Sequence, residues 1–167
     1  MPEVARAVTW ARWTVALGAL LAFGVAGAEP NFGPAEARPV VLNLLNSDEV
    51  AIEWPDSKVG DLPTGAGRLL LNLTLLAVEC LPRGGSVRIT LGANCMTIEA
   101  AGPQVRLSGE IKAAIAGNVA PAQLSARTVV GYYVTQLIAS LGGRLDLADE
   151  GAGTIRFQTV FNASRSA

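Results

Sequence analysis

The clearest periodic pattern of apolar residues lies at the centre of the chain. Six residues recur there at helical spacing and predict the buried stripe of an α-helix: Leu69, Leu70, Leu73, Leu76, Ala77 and Cys80. Pro63 suits the first position of this helix, and the Pro-Arg-Gly-Gly run at 82–85 ends it. Asn72 and Glu79 fall off the stripe, so the pattern predicts that both lie on a solvated face.

Strand and helix patterns on either side predict the other elements. Strand patterns cover 50–54, 86–91, 95–100, 144–148 and 154–161. Helical patterns cover 35–45 and 108–116, and Ser125 suits the cap of a longer helix with Val130, Val134, Leu137, Ile138 and Leu141 on its apolar face. Together with the helical start of the chain, these patterns predict an α+β protein.

The first thirty residues fit two different structures. Residues 13–28 are apolar, follow Arg6 and Arg12, and end in Ala-Gly-Ala, as in a secretory signal peptide cleaved near Ala28. The stretch is too short for a comfortable membrane span, which needs about 20 apolar residues. A helix of a bundle is the alternative, because residues recur at the spacing of a bundle seam: Trp10, Trp13, Leu17, Leu20 and Gly24. The pattern alone leaves both interpretations open.

Composition removes several classes of function. The chain contains no histidine, which excludes Ser-His-Asp and Cys-His nucleophiles and His-ligated metal sites within these 167 residues. Thirteen basic residues oppose fourteen acidic ones, and the cations are scattered rather than clustered, so nothing indicates a nucleic-acid partner. Cys80 and Cys95 lack Cys-x-x-Cys spacing and are predicted to be buried thiols. No catalytic, cofactor-binding or metal-binding residue is assigned.

Residues 62–161 resemble the ATP-binding fold of sensor histidine kinases, the GHKL or Bergerat fold. The order is helix, Gly-Gly turn, hairpin, helix, Gly-Gly turn and closing hairpin. The run 69–77 resembles the N-box helix of these kinases, and the runs 141–145 and 153–157 resemble their last helix and hairpin. This resemblance implies a layer of helices on a mixed sheet of about five strands.

The residues that hold the nucleotide in that fold are missing. Leu76 stands where the kinase pattern places the Asn that holds the metal–triphosphate, and Glu79 stands where a Lys commonly follows. The stretch 99–103 lacks the Asp-x-Gly-x-Gly pattern that contacts adenine, and the run 129–133, where the kinase pattern has a Gly-rich phosphate cradle ahead of the last helix, contains no such cradle. We therefore expect a fold that has lost ATP, with no cofactor; an ATP-binding kinase or ATPase domain is the alternative.

The ordered set of segments resembles the ChpT-type histidine phosphotransferases of alphaproteobacterial phosphorelays. The run 69–85 looks like the hallmark segment of this family, and the runs 22–24, 35–38, 126–129 and 141–145 add to the likeness. The resemblance implies three parts: residues 1–28 as the second helix of a dimerising hairpin, 29–161 as a degenerate kinase ATP-binding-like domain, and 162–167 as a disordered tail. It also decides the N-terminal question in favour of the bundle helix.

The same resemblance implies a function and partners. Proteins of this family relay phosphoryl groups between receiver domains of response regulators, act as homodimers in the cytoplasm, and bind neither nucleic acid nor membrane. Their phosphorylated His lies on the first hairpin helix, which should precede Met1. We therefore expect this chain to be inactive in phosphotransfer when it is alone.

Overall fold

The structure is a computed structural model that describes residues 32–55, 62–125, 127–149, 151 and 153–162. In chain order the elements are α1 (Pro34–Leu45), β1 (Val50–Glu53), α2 (Ala66–Glu79), β2 (Gly85–Leu91), β3 (Cys95–Ala101), α3 (Gly109–Ile115), a 3₁₀ turn (Pro121–Gln123), α4 (Val129–Ser140), β4 (Gly143–Asp149) and β5 (Thr154–Phe161). The predictions of an N-terminal helix or signal peptide, and of a disordered tail at 162–167 apart from Asn162, concern residues outside the described part of the chain.

The strands form one mixed sheet in the order β1-β2-β3-β5-β4. β1 pairs with β2 in parallel, and every other pair is antiparallel. Alternate residues of the three central strands are buried against the helices: Val87, Ile89, Leu91, Met96, Ile98, Ala100, Ile155, Phe157, Thr159 and Phe161. The intervening residues face the other side of the sheet. The expected α+β fold, with helices layered on a mixed five-stranded sheet, is confirmed.

Helix α2 forms the centre of the core. All six residues of its predicted stripe are completely buried, and the helix contacts α1, α4 and the strands β2, β3 and β5. Each leucine buried in this way contributes about 1.5–3 kcal/mol relative to an exposed position. The helix is buried on more than that stripe, because Leu71, Asn72 and Thr74 are also inside.

Two predicted helix starts are wrong by a few residues. α2 begins at Ala66 rather than at Pro63, since Gly65 adopts a left-handed conformation (φ 88°) and the Pro63 carbonyl accepts the Ala66 N–H in a separate turn. α4 begins at Val129 rather than directly after Ser125. Ser125 and Thr128 instead close a turn, in which the backbone N–H of each donates to the hydroxyl of the other at 2.9 and 3.2 Å.

The start of α1 lies against α2. Pro34 occupies the first helical position, and the Glu36 carboxylate accepts the Gly33 N–H at 3.0 Å. On the facing helix, the Gly67 N–H donates to the Phe32 carbonyl at 3.2 Å. A side chain at Gly67 would overlap the backbone of Gly33, so this glycine permits the close approach of the two elements.

The outer edge of β1 is closed by side chains. The Ile52 N–H donates to Asn46 Oδ1 at 2.9 Å, and the Val50 N–H donates to Ser47 Oγ at 3.2 Å. These donors would otherwise be available for pairing with another strand.

Among the described residues, no helix combines the length and apolar character needed to cross a membrane.

Candidate functional site

Helices α2 and α4 pack side by side in opposite directions, in the region that the kinase resemblance assigns to the nucleotide. A Cβ placed on Gly65, before α2, would lie 3.8 Å from Leu141 Cδ2, after α4. The charge of Arg127, before α4, acts on Glu79 at the end of α2. Helical spacing places residues 65, 68, 72, 76 and 79 on one stripe. The stripe that looks into the nucleotide pocket in a kinase is therefore the stripe that faces α4 here.

Leu76 occupies the middle of that stripe and is completely buried. In the kinase pattern this position carries the Asn that holds the metal–triphosphate, which needs an exposed oxygen ligand. A leucine in the core offers neither a ligand nor space for solvent. Thr128, Val130 and Val134 of the α4 segment are buried as well. The side chains at these positions of the two helices are therefore enclosed by the protein itself.

Asn72 lies one turn before Leu76, and the prediction that it is solvated is wrong. Its side chain is only 4% exposed. Nδ2 donates to the Arg68 carbonyl at 2.7 Å, whereas Oδ1 has no hydrogen-bond partner. Tertiary packing removes Asn72 from solvent, and an unpaired buried acceptor of this kind costs about 1–3 kcal/mol. The periodicity of α2 alone gives no sign that other elements cover this face.

The stretch after β3, which lacks the adenine-contacting pattern, packs closely against the main chain of neighbouring turns. An ideal Cβ on Gly102 would lie 2.6 Å from the Gly84 oxygen, and one on Gly153 would lie 2.9 Å from the Gly102 oxygen. The Gly102 N–H donates to the Gly153 carbonyl at 3.1 Å. Main chains from three turns therefore pack directly against one another at this end of the sheet.

The C-terminal end of α2 carries two groups with shifted pKa values. Burial raises the pKa of the Glu79 carboxyl to about 7, and Arg127 offsets part of this rise. Burial and the neighbouring Glu79 charge raise the pKa of the Cys80 thiol to about 12, so the thiol is protonated and unreactive at neutral pH. Cys80 matches the prediction of a buried free thiol, but Cys95 is partly exposed.

Three exposed cations surround this end of α2, and we call them the basic cluster: Arg106, Lys112 and Arg127. The backbone N–H of Arg106 donates to the Cys80 carbonyl at 3.0 Å. Lys112 lies near enough to lower the pKa of Cys80, and it pairs with Asp149 at 3.7 Å. Val129, 40% exposed, follows close after Arg127. Sequence reasoning missed this cluster because loops and helices bring together cations that are far apart along the chain.

Arg83, which the sequence places in a turn, is exposed in the connection between α2 and β2. Among the described residues, no group of three or more Cys, Asp or Glu side chains is arranged to hold a metal ion. This region therefore combines buried apolar helices with exposed positive charge and one exposed aliphatic side chain.

Comparison with known proteins identifies the family. The family model described as "Histidine phosphotransferase C-terminal domain" matches residues 34–153. The chain belongs to this family. The match confirms the resemblance to the ChpT-type histidine phosphotransferases, and it begins and ends within the described α+β unit. No match was found among curated protein sequences.

Solved structures share the fold of this histidine phosphotransferase domain. A bacterial phosphotransferase superimposes with a TM-score of 0.67 and 21% identity, covering 83% of this chain and 69% of that one. The Acinetobacter baumannii histidine kinase AdeS gives a TM-score of 0.50 and 15% identity, covering 90% of this chain and 76% of that one. The likeness to the histidine kinases is therefore one of architecture.

Proposed function

We propose that this histidine phosphotransferase domain binds receiver domains of response regulators and serves a phosphorelay that passes phosphoryl groups between them. The observation that carries the proposal is the family match, and the exposed basic cluster supports it. A receiver holds its phosphoryl group on an aspartate beside magnesium-binding carboxylates, so its active-site surface is acidic. Exposed cations attract such a surface and speed the encounter.

The transfer chemistry itself requires an imidazole nitrogen that accepts and releases the phosphoryl group. The 167 residues contain no histidine, so we propose that the described domain holds the receiver while the acceptor lies outside these residues. Residues 1–28 are proposed to supply the helix through which two copies associate. For this function we propose a cytoplasmic location. The alternative, an exported protein, rests on residues outside the described part of the chain and remains a prediction.

Reversing two charges of the basic cluster should weaken receiver binding by at least about tenfold. The variant combines Arg106→Glu and Arg127→Glu, because these side chains are exposed and flank the end of α2. Binding of the 167-residue chain to a panel of purified receiver domains is measured by biolayer interferometry at low and high NaCl concentration. For the wild type we expect affinity that falls as NaCl rises, since salt screens exposed charges.

Arg144→Glu is the matched control. Arg144 is an exposed cation on β4 that pairs with Asp146 at 2.9 Å, outside the basic cluster. The Arg144→Glu variant should retain wild-type affinity for the receiver. Absence of binding to every receiver in the panel would contradict the proposed function, and equal weakening by the control and the double variant would contradict the assignment of the basic cluster as the docking surface.

A further inference from the structure

The side of the sheet that faces away from the helices carries one row of charges. Four residues stand directly opposite one another across β1, β2, β3 and β5, and we call them the charge row: Glu53, Arg88, Glu99 and Arg156. Arg88 binds Glu53 at 2.7 Å, and Arg156 binds Glu99 at 2.7 Å. Their signs therefore alternate across the sheet, in the arrangement that favours cross-strand pairing.

The rest of these four strands is uncharged. Each strand contains a single Asp, Glu, Lys or Arg residue, and that residue is its member of the charge row. Small or neutral side chains flank the row: Ala51, Ser86, Ala101 and Thr154 on one side, and Thr90, Thr97 and Gln158 on the other. A shallow depression lined by Glu53, Ser86, Arg88, Glu99, Ala101 and Thr154 shows that these residues share one face.

We propose that this sheet face is a contact between two copies of the chain. The relevant symmetry is a two-fold axis that lies in the interface, parallel to the strands, between Arg88 and Glu99. Rotation about this axis reverses the order of the charge row. The charges of one copy, in the order negative, positive, negative, positive, therefore face charges of the second copy in the order positive, negative, positive, negative. Glu53 then faces Arg156 of the second copy, and Arg88 faces Glu99 of the second copy. A row of four alternating charges is complementary to itself in this orientation.

The expected contact is weak and reversible. From the ordinary spacing of strands and residues, the face offers about 400 Å² per copy, against about 800 Å² per partner in a standard stable interface. The Arg88–Glu53 pair is exposed and the Arg156–Glu99 pair is partly buried. An exposed ion pair contributes little by itself, whereas a second complementary row shields it from water and salt. The small side chains beside the row let the two faces approach. The proposal does not depend on receiver binding, because the basic cluster lies around the end of α2 in the helical layer.

Exchanging the charges of one ion pair tests this contact. Glu53→Arg combined with Arg88→Glu keeps that ion pair within each copy but makes the row positive, negative, negative, positive. Every pair across the two-fold axis then becomes a pair of like charges. Glu99→Arg with Arg156→Glu does the same from the other half of the row. The variant with all four residues exchanged restores alternation and therefore complementarity.

Self-association of the full 167-residue chain and its variants is measured by sedimentation velocity over a range of protein and NaCl concentrations. Circular dichroism selects a temperature at which every variant is folded, since either double exchange places like charges at 88 and 99. Any association through residues 1–28 is common to all variants. We expect each folded double exchange to lower the association constant by about tenfold or more, and the fourfold exchange to recover it. Wild-type association in both double variants, or a wild-type chain that stays monomeric throughout, would overturn the proposal.

Discussion

Gly67→Ala should lower the free energy of unfolding by about 2 kcal/mol or more. A helix interior normally gains about 1 kcal/mol when alanine replaces glycine, so the expected sign is opposite to the ordinary one. The reason is the close approach of α2 to the start of α1. The added methyl group would overlap the Gly33 carbonyl and lie 2.8 Å from the Phe32 oxygen, and it would disturb the Gly67 N–H bond to Phe32. Urea unfolding followed by circular dichroism measures the change.

Gly109→Ala is the matched control for this substitution. Gly109 begins α3, and a methyl group there would meet no atom within 4 Å. Its stability should stay the same or rise by up to about 1 kcal/mol. If both variants behaved alike, the packing of α1 against α2 would not be the constraint that the structure indicates.

Glu79→Gln should make the domain about 1–2 kcal/mol more stable than the wild type near pH 8 and equally stable near pH 4. Burial raises the pKa of this carboxyl from 4.5 to about 7 in the folded state. Between these values the unfolded chain is ionised while the folded chain keeps its proton, so ionisation favours unfolding as the pH rises. The whole pKa difference of Glu79 would correspond to a change of about 3 kcal/mol in the free energy of unfolding. The side chain is partly exposed and solvent screens its charge, so the expected change is smaller.

Urea unfolding from about pH 4 to about pH 8 measures this difference. Glutamine resembles the protonated carboxyl, so the two curves should coincide at low pH and separate as Glu79 ionises. Glu110→Gln, an exposed carboxyl in the first turn of α3, should not reproduce the separation. A difference between Glu79→Gln and wild type that did not change with pH would contradict this account, because ionisation of a buried carboxyl must produce a pH-dependent difference.

The elements of the described domain were largely predictable because their patterns are local. The α2 stripe follows from helical periodicity, and all six of its residues are buried. The hairpin from β2 to β3 follows from alternation around a short Gly-Ala-Asn turn, with strand ends within one residue of the prediction. The mixed sheet required the family resemblance, because periodicity does not specify which strands pair.

Which residues are buried and which lie together on a surface was not predictable from local patterns. Asn72 is off the apolar stripe, yet it is buried, and only the tertiary packing of segments distant in sequence determines that. The basic cluster depends on two connecting segments and α3 meeting near the end of α2. The charge row depends on the register of four strands. Each of these features is a relation between remote segments.

Buried Leu76, at the position where the kinase pattern has the Asn that holds the metal–triphosphate, leads us to expect that this histidine phosphotransferase domain does not bind ATP. A ligand that binds only the folded state raises its melting temperature by mass action. The direct test is the thermal unfolding of the 167-residue chain with ATP and magnesium at concentrations up to millimolar. We predict a melting temperature unchanged within experimental error, because Leu76 is buried against its neighbours and offers no ligand. A saturable rise in melting temperature with ATP–magnesium would contradict the account.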